Sequence, residues 1–236
     1  MVYSACLIGT PHTRNRWRAC KKTIEHKMNF FKKIFETSEK STESWTMFST
    51  SKKEVNDLLV SSGQIKIERD YIQINGYPFQ PSIAYGQIKI LVNLIDDIDI
   101  ESYPPTVKIK DELIFLTSEK RDELKEFARR NGLKIVKRPD IWGWILEPFL
   151  DTEFTKETNE RLIRLLNEYG LKKETIDSIR TEVKIQMLKY NFDTMLWEWG
   201  GLGAEDVLKA MRTKYSKDDF NEFYGKVMKL ALLTKK

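Results

Sequence analysis

The 236-residue chain is 41% hydrophobic and 32% charged, with only 7 Pro and 11 Gly. Apolar content at that level excludes general disorder, and so little Gly and Pro excludes a fibrous or linker-rich chain. Mean hydropathy is −0.49 and no apolar run approaches the roughly 18 residues of a membrane-spanning helix, so a soluble protein is expected. The formal charge of +5 invites a nucleic-acid reading, but it is local. Arg14, Arg16, Arg18, Lys21, Lys22 and Lys27 stand against Glu25 alone in residues 1–27, and the remainder is electrically balanced. Nucleic acid could be met only through that head.

The same head holds both Cys (Cys6, Cys20) and both His (His12, His26). These are zinc-ligand types, but the spacing lacks the close Cys pair and helical His pair of finger motifs. Residues 1–27 therefore read as a non-core appendage, or as sequence upstream of a bacterial-type start at Met28. With no Cys beyond the head, no disulfide framework is expected and a cytoplasmic location follows.

Residues 28–63 read as short helices and a linker. Phe30, Phe31, Ile34 and Phe35 surround Lys32 and Lys33, and a Ser/Thr-rich stretch carries Trp45 and Phe48. Ser51 to Glu54 forms a capping box before Val55, Leu58 and Leu59, and Gly63 stops the turn. From residue 64 the apolar period becomes two. Ile65 and Ile67, then Ile72 and Ile74, alternate with polar neighbours, and Asn75-Gly76 predicts a tight hairpin turn. Further strands follow at Ile88 to Val92, Val107 to Ile109 and Leu113 to Leu116. Ser118 is expected to cap a helix burying Leu124, Phe127 and Ala128, with Asn131-Gly132 ending it and a last strand at 133–137.

Residues 138–154 form a Trp-rich junction, read as an extended segment with Trp142 and Trp144 on opposite sides of Gly143. Residues 155–236 are helical throughout. Thr155 caps a helix with Leu162 and Leu166. A long helix with Ile176, Ile179, Val183, Met187 and Tyr190 follows, broken at Gly200-Gly201-Leu202-Gly203. Two more helices bury Val207, Leu208 and Met211, then Phe220, Phe223 and Val227 behind a Ser216 cap.

The fold class is therefore α+β: an antiparallel sheet or partly open barrel capped by a helix at 64–137, then an all-helical part. Strands followed by one long helix over 64–131 resemble the pleckstrin-homology-like barrels of bacterial proteins. That resemblance rests on element order alone, and the strand after the helix departs from it.

For chemistry, the body lacks His and Cys, which removes Ser-His-Asp, Cys-His and His-zinc arrangements. The acids at Asp96, Asp97, Asp99 and Glu101 read as a solvated strand face, and no cofactor is implied. A protein- or peptide-binding, non-enzymatic protein is the expectation, with toxin neutralisation (an immunity role) as one form. Its candidate binding residues are Trp142, Trp144, Glu147, Asp151, Glu153, Trp197 and Trp199, aromatics beside acids that suit a basic peptide. The alternative is a metal-dependent hydrolase built on Glu147, Asp151 and Glu153.

Overall fold

The alternating isoleucines form the first sheet. In the computed structural model, which describes residues 57–150, 154–193 (192 and 193 as backbone) and 201–235, β1 (Gln64–Ile67), β2 (Tyr71–Tyr77) and β3 (Gly86–Leu91) pair antiparallel in that order. Ile72 pairs Ile90 and Ile74 pairs Ile88, and Ile72, Ile74 and Ile90 are fully buried. The period of two thus places one face in the core. Expectations for residues 1–56 (the basic head, the Phe30 to Phe35 run, the linker and the capping box) lie outside the described residues. Leu58 is buried, whereas Leu59, expected inward, is 51% exposed.

Asn75-Gly76 does not turn the chain. The β1–β2 turn lies at Glu68 to Asp70, where the Glu68 N–H donates to Tyr71 O at 2.9 Å. Asn75 and Gly76 lie within β2, where the register shifts against β3. Gly76 has φ +80°, the conformation a glycine bulge requires. The bulge keeps the apolar alternation going as far as Tyr77, which is 1% exposed and accepts the Phe115 N–H on its hydroxyl at 3.1 Å.

A second antiparallel sheet follows: β4 (Asp97–Asp99), β5 (Thr106–Ile109) and β6 (Glu112–Phe115), in that order. The six strands therefore form two open three-stranded sheets. Ser118 opens a 3-10 turn and makes no cap bond, and helix α1 (Arg121–Arg130) then buries Leu124, Phe127 and Ala128 as the spacing requires. The expected strand at 133–137 is reduced to one parallel bridge, Ile98 to Ile135. Its bonds run from Ile98 N–H to Lys134 O and from Val136 N–H to Ile98 O, both 2.9 Å. β4 has only three residues, so there is little ladder to extend.

The helical part comprises α2 (Ile141–Leu146), a 3-10 turn at Glu147–Phe149, α3 (Lys156–Glu168), α4 (Lys173–Asp193), α5 (Ala204–Arg212) and α6 (Lys217–Ala231). Thr155 and Ser216 cap α3 and α6 through N–H bonds from Thr158 and Asp219, and Ile176, Ile179, Val183, Met187 and Tyr190 line the buried stripe of α4. The junction is helical where an extended segment was expected. Asp140 is its N-cap and accepts the Gly143 N–H at 2.8 Å, behind Pro139, which cannot donate.

Phe79, fully buried, ties the layers together. Its ring meets Tyr77 of the first sheet at 5.4 Å, Phe115 of the second at 6.4 Å and Tyr224 of α6 at 6.3 Å. Glu112 adds a polar tie, accepting from the Ser82 hydroxyl, the Ile83 N–H (3.2 Å) and the Tyr224 hydroxyl (2.6 Å). All described residues belong to one compact unit, Phe48–Lys236.

Candidate functional site

The Trp-rich segment is held by polar clamps. Trp142 is 1% exposed and donates its indole N–H to Val227 O of α6 at 3.0 Å. Trp144, half-buried, packs against Tyr169 with ring centroids 5.7 Å apart. Arg180 of α4 bonds Ile145 O (2.9 Å), Trp144 O (3.3 Å) and Asn159 Oδ1 (2.9 Å), and buried Asn191 bonds Phe149 O at 2.8 Å. Arg180 thereby satisfies two carbonyls that the six-residue α2 leaves free at its end, and Asn191 one in the 3-10 turn that follows. Glu147 opens the 3-10 turn, half-buried. Asp151, Glu153, Trp197 and Trp199 lie outside the described residues. Among the described residues, no three His, Cys, Asp or Glu converge as a metal site.

In the acidic run at 96–101, Asp96 and Glu101 are exposed as expected of a solvated face, whereas Asp97 and Asp99 turn inward. Asp99 is 1% exposed. It accepts the N–H groups of Glu101 (2.9 Å), Ser102 (3.0 Å) and Arg138 (2.7 Å). Asp97 pairs with Arg138, Asp96 with Lys108 at 2.9 Å and Glu101 with Lys137 at 2.8 Å. Three N–H donors on one carboxylate are what allows Asp99 to be buried. They also shape the 101–104 loop, which ends in a cis Tyr103-Pro104 bond.

That loop rims a cleft of about 330 Å³. The sheet side supplies Ser61, Ser62, Thr117 and Ser118 with Tyr103 and Pro104; the helical side supplies Gly201, Leu202, Glu205, Asp206 and Lys209. Glu205 is 6% exposed and accepts from the Ser62 hydroxyl, while Lys209 Nζ lies 3.0 Å from its other oxygen. Asp206 accepts the Gly203 N–H (2.8 Å) and the Tyr190 hydroxyl (2.9 Å). Burial, and then the neighbouring Glu205 charge, push its carboxyl up to about 6. Sequence patterning reads the preceding glycines only as a helix break and gives no sign of this cleft. Acids in a first helical turn carry no mark of what packs over them, and Ser62 is 143 residues from Glu205.

A second feature is the outer edge of β3. Val92 N–H donates to Asp70 O at 3.1 Å, which fixes the alternation: Ile88 and Ile90 bond β2, and the N–H and C=O groups of Gln87, Lys89 and Leu91 face away. Among the described residues no strand pairs with them, and the Leu91 carbonyl opens the 3-10 turn Val92–Leu94. Ile83 (53%), Tyr85 (52%), Leu91 (43%) and Leu94 (47%) are exposed in the same stretch of chain. Among the described residues no helix is long and apolar enough to cross a membrane. No protein-family model matches the chain, and no curated protein or solved structure is similar to it.

Proposed function

We propose that this chain is a non-enzymatic protein that binds a protein or peptide, taking an extended segment of its partner along the outer edge of β3. The observation that carries this is the outward row of backbone groups at Gln87, Lys89 and the Leu91 N–H, which no strand among the described residues pairs, beside four exposed apolar side chains. Backbone pairing supplies affinity to an added strand and flanking apolar groups supply selectivity. Natural edges are blunted with charge, proline or bulges. Lys89, the one charge in β3, lies with its Nζ 3.6 Å over the Tyr71 ring on the sheet face, leaving the edge clear. β1 also ends its sheet, but with four residues against six. Neutralising a toxin by pairing with one of its strands is one form this binding takes.

The test is Lys89→Pro. The Lys89 N–H points away from β2, so the substitution removes an outward donor without breaking the sheet's own ladder. Peptides selected on the full chain from a library of alternating apolar sequences should slow amide exchange at Gln87, Lys89 and Leu91, and should bind the variant at least about tenfold more weakly. Selected peptides that bind the folded variant equally well, or leave those amides exchanging freely, overturn the proposal.

A further inference from the structure

The cleft beside α5 is separate from the β3 edge, and its functional groups specify a different kind of ligand. Glu205 is matched by Lys209, and Asp206 has two donors. The Asp206 carboxyl, raised to about 6, is still largely ionised at neutral pH. Two carboxylates against one ammonium oppose an anion in this part-buried site.

Hydrogen-bonding capacity is open in both senses. Lys209 places one of its three N–H groups on Glu205, and the Thr117 and Ser118 hydroxyls bond nothing among the described residues. The Glu205 and Asp206 oxygens each hold one donor and keep a further lone pair. Each hydroxyl of a ligand both donates and accepts, so a hydroxyl-rich molecule meets both kinds of partner. At the rim, Tyr103 is 67% exposed and offers a flat apolar face for the C–H side of a ring. The volume, about 330 Å³, equals that of about ten waters.

We infer that this cleft binds a small, polyhydroxylated molecule without an anionic group, the size of one hexose, held by Lys209, Thr117, Ser118 and the carboxyl groups of Glu205 and Asp206.

The experiment is a titration of the ¹⁵N-labelled full chain with glucose, galactose, mannose and myo-inositol, alongside glucuronate as the anionic counterpart. At least one neutral compound should give saturable millimolar shifts confined to Ser62, Ser118, Leu202 and Lys209, with glucuronate at least about tenfold weaker. The double variant Thr117→Val, Ser118→Ala deletes only hydroxyls that bond nothing among the described residues. It should keep its melting temperature and lose about tenfold in affinity, while Lys89→Pro should bind the sugar unchanged. No saturable shift with any neutral polyol, tighter binding of glucuronate, or an unchanged affinity in the double variant overturns the inference. None of these outcomes bears on strand addition at β3.

Discussion

Trp142 and Trp144 are two positions apart on α2, about 200° around its axis, and this separation makes them unequal. Trp142 fills the core and spends its N–H on α6, so Trp142→Ala should cost about 3–5 kcal/mol in chemical denaturation. Trp144→Ala should cost about 1 kcal/mol, the worth of one exposed-side ring contact. Equal losses would show that the two rings share one environment. Asp206 supplies the residue-scale pH dependence. Its folded value of about 6 lies above the ordinary 3.8, so the native state carries a cost for the charged form at pH 8. That cost disappears as pH falls through 6 toward 4. A carboxyl raised this far costs about 3 kcal/mol once it is ionised. Asp206→Asn should therefore gain that much on the parent at pH 8 relative to pH 4, measured as the difference of two stability profiles. A difference that stays flat with pH would remove the buried-carboxylate account.

At the scale of elements, α2 depends on one local device. A Cβ at Gly143 would run into the carboxylate of Asp140, the group that caps the helix. Gly143→Ala should then cost about 1–2 kcal/mol by displacing the cap, and should cost nothing further in an Asp140→Ala background. A double-mutant cycle reads that coupling directly, and additive losses would place the conflict elsewhere. This helix also marks how far the sequence can be read. The buried stripes of β2, α1, α4 and α6 are legible, because periods of two and of three to four follow from one-sided burial. The Trp segment reads as extended only while aromatic alternation outweighs the Asp140 to Gly143 spacing, which is itself a capping signal. Asn75-Gly76 suits a positive φ in a hairpin and in a bulge alike. Only the buried Tyr77 beyond it decides between the two. The cleft is illegible for a different reason: its carboxylates are buried beneath and bonded by distant residues, Ser62 and Tyr190, which nothing in the local sequence brings there.

Across the molecule, Phe79 and Glu112 link both sheets to α6. Disturbing either link should be felt on all sides. Glu112→Ala strands two hydroxyls and the Ile83 N–H, an expected loss of about 3 kcal/mol. In native-state hydrogen exchange, core amides of β2, β5, α4 and α6 should open with one common free energy. Helices that open while the sheets stay protected would show that these ties do not couple the two parts.

The two sheets treat their margins differently. In the second sheet, residues 134–136 lie along β4, and the outward Leu113 and Phe115 N–H groups of β6 are taken up by Met228 Sδ at 3.4 Å and by the Tyr77 hydroxyl. Among the described residues, the first sheet ends on bare backbone at β3. Self-association in concentrated solution should therefore begin at one strand, and a single proline there should raise the solubility of the whole chain.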